Sequence, residues 1–206
     1  NNNKDQEIGT VDVINTRTDG VNNDLDVTLN NTARLNGELT VDALNVSTED
    51  NGTSAVRVLD LTSAGRRDTS NLVQSATLTG VNTVNLDGTQ NLDIRIDEME
   101  ENASGVSTVS VVNGSALEGD LDLAINSSIL TAATDVLTGT AASTDDLIVY
   151  GTDARATVTA FETVQLGADA SNQFTGAALN FNGTFNAAAV SGVEQYNVEQ
   201  LDGAAT

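Results

Sequence analysis

Short stretches in which apolar and polar residues alternate run through most of the chain, and they are typical of β-strands. Each stretch breaks at Gly, Asn or Asp, the residues that favour turns. Helical periodicity is weak, because β-branched residues and Asn interrupt it; we expect at most a turn or two of helix, in residues 129–136 and 187–189. The pattern predicts strands in residues 11–14, 25–29, 56–61, 92–96, 106–112 and 121–125.

One short pattern, apolar-x-x-apolar-x-apolar, recurs six times and is called box one below. Its fourth and sixth residues share one face of a strand, and we expect the first to join them only across a bend. Three copies extend to eleven residues that align without gaps, in residues 76–86, 156–166 and 188–198. The six copies of box one lie in residues 8–13, 41–46, 81–86, 106–111, 161–166 and 193–198.

A second pattern, box two, follows box one after a variable interval. It lies in residues 23–30, 90–97 and 119–126, with a fainter copy in residues 177–182. The repeating unit is therefore box one, a turn and box two. The longest interval between copies of box one, from Val106 to Phe161, predicts a degenerate copy in residues 135–150.

Repeats of this kind predict an all-β fold, an irregular parallel β-helix (β-solenoid) of stacked strand-turn-strand repeats. The irregular spacing leaves β-sandwich domains as the alternative. We expect residues 1–206 to form one repetitive β-rich region with a weak boundary near residues 127–146. Because the chain begins at Asn1 without an initiator Met, we expect it to be an excerpt of a longer polypeptide.

The composition argues against most catalytic chemistry. The 206 residues include no Cys, His, Trp or Pro, so thiolate and imidazole groups are excluded. With only four Phe, two Tyr and one Met, the core must consist almost entirely of Val, Leu, Ile and Ala. A carboxylate pair in a polysaccharide-degrading β-helix is the weakest alternative, because the aromatic and basic residues that line sugar grooves are scarce. We therefore expect no enzyme.

The chain is strongly acidic, with 30 acidic residues, eight basic residues and a formal charge of −22. This charge repels nucleic acid and suits a solvated surface or one that divalent cations bridge. No apolar run is long enough to predict membrane insertion. We interpret the acidic residues 97–101 and 145–146 as solvated loops.

Three aspartates recur at one position of box two, namely Asp26, Asp93 and Asp122. The plain interpretation is a polar residue on the solvent face of a strand. The functional alternative is that neighbouring coils bring them together with Asp97 and Asp120, so that carboxylate and carbonyl oxygens bind Ca²⁺. An EF-hand signature and a glycine-rich calcium nonapeptide are both absent.

Residues 79–86 (Thr-Gly-Val-Asn-Thr-Val-Asn-Leu) and 191–198 (Ser-Gly-Val-Glu-Gln-Tyr-Asn-Val) resemble the recurring segments of bacterial surface-layer proteins and large adhesins of the type I-secreted kind. The resemblance implies a secreted, extracellular β-rich module at the cell surface that self-associates into a lattice or fibre, often with calcium at its contacts. Without the glycine-rich nonapeptides, the metal residues of that family have no counterparts at particular positions here.

The function that these observations predict is structural. We expect an extracellular protein that self-assembles into a surface layer, fibre or matrix through its strand edges, with copies of itself and cell-surface polysaccharide as partners. The alternative is an adhesin stalk or binding module for carbohydrate or another cell. The sequence also contains seven Asn-x-Ser/Thr sites, and glycosylation of these sites is left open.

Overall fold

The computed structural model describes residues 5–16, 23–33, 36–48, 56–99, 109–142, 144–168, 172–174, 178–186 and 190–198. These residues form seventeen β-strands and one 3₁₀ turn, Ser127–Ile129, and contain no α-helix. The strands are β1 (Gln6–Asn15), β2 (Asn23–Asn31), β3 (Glu38–Thr48), β4 (Val56–Gly65), β5 (Ser70–Leu78), β6 (Thr83–Gly88), β7 (Asn91–Met99), β8 (Val111–Leu117), β9 (Leu121–Asn126), β10 (Val136–Thr138), β11 (Asp146–Tyr150), β12 (Ala154–Arg155), β13 (Thr157–Thr159), β14 (Thr163–Leu166), β15 (Phe185–Asn186), β16 (Val190–Ser191) and β17 (Gln195–Val198).

The strands form two long parallel sheets between which the chain alternates. Sheet one has the order β1-β3-β5-β7-β9-β11-β14-β17, and sheet two has the order β16-β13-β10-β8-β6-β4-β2. A short third sheet pairs β12 with β15. The predicted parallel β-solenoid is confirmed, and the β-sandwich alternative is wrong, because the sheets of a sandwich are antiparallel.

The core is a narrow column between the two sheets. In sheet one, two rows of paired apolar residues run through all eight strands. The members of these rows from β3 to β11 are buried. A row of sheet two faces them, so that Val, Leu and Ile supply most of the buried area. The rows are Ile8-Val41-Val73-Ile94-Leu123-Leu147-Val164-Tyr196 and Val11-Leu44-Ala76-Ile96-Ile125-Val149-Leu166-Val198 in sheet one, and Leu25-Leu59-Val84-Val112-Leu137-Val158-Val190 in sheet two.

The eleven-residue repeat of the sequence is a corner of the solenoid. Its fifth residue turns the chain from one sheet to the other in the left-handed conformation, with φ of 86° at Gly80, 57° at Ala160 and 79° at Gly192. The next residue is apolar and fills the corner, as the fully buried Phe161 does. This turn lies one residue before box one in these three copies, whereas the copies in residues 8–13 and 41–46 lie within the continuous strands β1 and β3.

We expect Ala160→Gly to raise the free energy of unfolding by about 0.5 to 1 kcal/mol, because glycine adopts a φ of 57° without the steric penalty of a Cβ atom. Urea denaturation measures the change. Ala156→Gly is the matched control, since Ala156 is 1% exposed and loses packing. It should lower stability, and a loss in both variants would contradict the corner argument.

The predicted degenerate copy in residues 135–150 contains two strands, β10 in sheet two and β11 in sheet one. Both sheets continue past residues 127–146, because β11 pairs with β9 and β10 pairs with β8. The helical turns expected in residues 129–136 are not formed, apart from the 3₁₀ turn that ends at Ile129. Residues 187–189 lie outside the described residues.

Candidate functional site

Three aspartates lie side by side on the outer face of sheet one and are called the carboxylate row. The pairing aligns Asp93 of β7 with Asp122 of β9, and Asp122 with Asp146 of β11. Neighbouring strands of a sheet are about 4.8 Å apart, so Asp122 is within reach of the carboxyl group on either side of it. Neighbouring coils thus place Asp93 beside Asp122.

The electrostatics of the carboxylate row favour the protonated forms of Asp93 and Asp122. Burial raises the pKa of Asp93 to about 7, and the charges of Asp122 and Glu38 add to the effect. Burial likewise raises the pKa of Asp122 to about 7, with added repulsion from neighbouring carboxylates, Asp146 first. The charge of Asp122 therefore adds to the cost of ionising Asp93.

Part of this burial comes from a segment that crosses the outer face of sheet one. This segment, called the strap, consists of Ala168 with residues 172–174 and 178–181, and Ala168 and Leu179 exchange two backbone hydrogen bonds of 2.8 Å. Gln173 Nε2 donates to Asp122 Oδ2 at 2.9 Å, and Gln74 Nε2 donates to the Gln173 carbonyl oxygen at 3.2 Å. The strap therefore contacts the carboxylate row directly.

A second, smaller apolar cluster lies between the strap and sheet one. Phe174 is fully buried in this cluster. Its other members are Leu72, Ala124, Ile148 and Tyr150 from sheet one, and Ala168 and Leu179 from the strap. Apolar burial thus fixes the strap over the face on which the carboxylate row lies.

Asp97 lies near this cluster and has several partners. The Tyr150 hydroxyl lies 2.5 Å from Asp97 Oδ1, and Ser75 Oγ donates to Asp97 Oδ2 at 2.5 Å. Arg95 Nε lies 3.1 Å from Asp97 Oδ1 and 3.2 Å from Oδ2. Burial and the neighbouring Asp97 raise the pKa of Tyr150 above its usual range.

The interpretation of residues 97–101 and 145–146 as solvated loops is wrong for residues 97–99 and 145–146, because residues 97–99 and Asp146 lie in strands and Asp145 is buried; residues 100–101 lie outside the described residues. Asp97 and Met99 belong to β7, and Met99 is buried. Asp145 is fully buried and accepts hydrogen bonds from Leu121 N and Thr140 N. Burial raises the pKa of Asp145, although the hydrogen bonds that it accepts lower it.

The five aspartates predicted to bind calcium do not form one group. Asp93 and Asp122 are neighbours, whereas Asp26 is exposed in β2 of sheet two. Asp120 precedes β9, where its Oδ2 accepts from Asn91 Nδ2 at 3.2 Å. In the described part of the chain, no three Asp, Glu, His or Cys side chains form a group suited to a metal ion. Calcium binding stays a prediction.

Further carboxylates line an open cleft beside the strap. The cleft has a volume of about 570 Å³, and its lining includes Gln173 of the strap. The acidic side chains in its wall are Asp5, Glu7, Glu38 and Asp42. Negative charge therefore extends along sheet one from the carboxylate row to β1.

Sequence reasoning did not identify the strap or its contacts. Gln173 and Phe174 lie outside both boxes, and no periodic pattern places them on sheet one. Composition is one available signal, since Phe174 is one of only four Phe residues in the chain.

No protein-family model, curated protein or solved structure matches the chain. Among the described residues, none of the helical structure is long and apolar enough to cross a membrane.

Proposed function

We propose that the protein is an extracellular structural subunit that assembles with copies of itself into a surface layer, fibre or matrix. The observation that carries the proposal is the pair of strand edges in sheet one. In the described part of the chain, β1 pairs only with β3, and β17 pairs only with β14. Unpaired backbone groups along a strand are a template for another strand.

Both edge strands expose apolar side chains that belong to buried rows. Ile8 of β1 is 43% exposed, and Tyr196 and Val198 of β17 are 51% and 75% exposed. The inner residues of the same rows, such as Leu123, are fully buried. Pairing of the two edges would remove this apolar surface from water.

Charge on the broad outer faces supports association through the strand edges. Sheet one carries the carboxylate row, and Asp26 and Asp60 pair on the outer face of sheet two. Faces of like charge repel each other, so side-by-side contact is disfavoured unless a cation bridges them. Cell-surface polysaccharide as a second partner stays part of the proposal, and catalysis is not part of it.

Static light scattering and negative-stain microscopy of the purified chain test the proposal. We expect filaments or sheets whose mass grows with protein concentration, and we expect chelation of Ca²⁺ to reduce them if the predicted calcium contacts exist. We expect Val198→Lys to weaken assembly at least tenfold, because it places a charge in an exposed apolar position of β17.

Val109→Lys is the matched control, since Val109 is also an exposed apolar residue but lies outside β1 and β17. It should leave assembly unchanged, and circular dichroism should show that both variants fold. A monomer at every concentration, with or without Ca²⁺, would contradict the proposal and favour the alternative of an adhesin stalk or binding module.

A further inference from the structure

We infer that copies join end to end through sheet one, with Tyr196 and Val198 of β17 packing against Ile8 and Val11 of β1 in the next copy. The inference rests on the proposed function, and it specifies which strands meet and in which register. The junction is head to tail, so it leaves a free edge on each added copy and produces an open filament.

The order of the strands assigns the junction to sheet one. Along the chain, β1 precedes β2 of sheet two, and β17 follows β16 of sheet two. The outermost described strand therefore belongs to sheet one at both ends of the solenoid. Since every named pair in sheet one is parallel, a copy translated along the solenoid axis presents β1 to β17 in the orientation that the sheet already uses.

The apolar rows give the register. One inward row runs from Ile8 through all eight strands to Tyr196, and a second runs from Val11 to Val198. Continuing both rows into the next copy places apolar side chains against apolar side chains, with a one-residue bulge in β1 like the one in β5 where Val73 and Ala76 pair with Ile94 and Ile96 of β7. The buried core of one copy then lies in line with the core of the next copy.

The outward row next to Ile8 and Tyr196 provides polar complementarity. It begins at Glu7 and ends at Gln195, so the junction places an amide beside a carboxylate. The fold uses the same contact between neighbouring strands, where Asn45 Nδ2 donates to Asp12 Oδ1 at 2.7 Å. Gln195 Nε2 donates to Asn197 Oδ1 at 2.7 Å, and its second hydrogen is available for Glu7.

Matching of the sequence repeats suggests a different register. Aligning box one of β17 with box one of β1 places Tyr196 on Val11 and Gln195 on Thr10. That register displaces the next copy by three residues, or about 10 Å along the strands. The two core columns are then out of line, so part of each stays exposed to water.

Disulfide trapping distinguishes the two registers, because the chain has no Cys of its own. Glu7→Cys combined with Gln195→Cys places two thiols on adjacent strands in the row-continuous register, within the Cα separation that a disulfide requires. Thr10→Cys combined with Gln195→Cys is the matched pair for the repeat-matched register. Both variants are oxidised during assembly and separated on a non-reducing denaturing gel.

We expect a ladder of covalent multimers from the first pair, and at least tenfold fewer multimers from the second. A ladder from the second pair alone would overturn the register and leave self-assembly intact. Polymers seen by light scattering with no ladder from either pair would overturn the junction itself. Absence of polymers in the unmodified chain would overturn the proposed function as well.

A test without thiols uses charge. Gln195→Glu places a carboxylate beside Glu7 of the next copy, so we expect assembly to weaken at least tenfold. Adding Glu7→Lys should restore it to within threefold of the unmodified chain. Rescue by Thr10→Lys and not by Glu7→Lys would contradict the row-continuous register.

Discussion

Asp145→Ala is expected to lower the free energy of unfolding by about 3 to 5 kcal/mol, because it leaves several buried donors without an acceptor. Asp145 Oδ1 accepts from Leu121 N at 2.9 Å and from Thr140 Oγ1 at 3.0 Å, and Oδ2 accepts from Thr140 N at 2.5 Å. The side chain thus joins the start of β9 to the turn that follows β10. Urea denaturation followed by circular dichroism measures the loss.

The matched control is Asp146→Ala, which removes the adjacent carboxylate. Asp146 is exposed, and its charge opposes ionisation of Asp122, so we expect a change within about 0.5 kcal/mol or a small gain. Asp145→Asn keeps the shape with one carbonyl oxygen and should lie between the wild type and Asp145→Ala. Equal losses from Asp145→Ala and Asp146→Ala would contradict a specific role for the buried carboxylate.

The solenoid was predictable because its signal is local and repeated. Alternation with a period of two marks each strand, and a turn residue marks each corner, whichever sheet the strand joins. The predicted stretches 11–14, 25–29, 56–61, 92–96 and 121–125 all lie within strands. In the predicted stretch 106–112, residues 106–108 lie outside the described residues, and β8 begins at Val111.

The sheet to which each repeat belongs was not predictable. Residues 76–86 pass from sheet one to sheet two, whereas the aligned residues 156–166 pass from sheet two to sheet one. A corner requires a left-handed residue and an apolar residue, and these requirements are the same in both directions. The sequence of a corner therefore carries no information about its direction.

Because the sequence does not specify the sheet that a repeat joins, it also could not predict which of the recurring aspartates are neighbours. Asp26, Asp93 and Asp122 occupy one position of box two, but β2 is in sheet two, while β7 and β9 are neighbours in sheet one. Burial of Asp145 was missed because its hydrogen-bond donors, Leu121 and Thr140, belong to other turns and strands. Such contacts follow from the stacking of coils and leave no short-range pattern.

The strap could not be predicted from short sequence patterns, because its contacts are distant in the chain. Phe174 packs against Leu72, which is about a hundred residues earlier in the chain, and against Ala124 and Ile148. These three residues point away from the main core and interrupt the polar face of their strands. An apolar residue on the outer face of a strand is the signal that a further layer covers it.

Asp122→Asn is expected to raise the free energy of unfolding at pH 8 by about 2 kcal/mol and to have much less effect at pH 4. Burial first, and repulsion among the carboxylates second, raise the pKa of Asp122 to about 7 in the folded chain. Between about pH 4 and pH 7 the folded chain therefore holds protons that the unfolded chain has released, so stability falls as the pH rises through this window. The asparagine carbonyl oxygen can still accept the hydrogen bond from Gln173 Nε2.

Urea denaturation at a series of pH values measures this effect, and Asp26→Asn is the control. Asp26 occupies the same position of box two and its replacement changes the net charge equally, but it is exposed on sheet two and its change should stay within about 0.5 kcal/mol. The chain has a net charge of −22, so removing any carboxylate reduces the general repulsion. The difference between the two variants in the free energy of unfolding therefore measures the specific effect of burying Asp122. Parallel pH profiles for Asp122→Asn and the wild type would show that Asp122 titrates as a solvated carboxylate. Because the charge of Asp122 helps to raise the pKa of Asp93, the variant should also lower the pKa of Asp93, and carboxyl NMR shifts can follow that change directly.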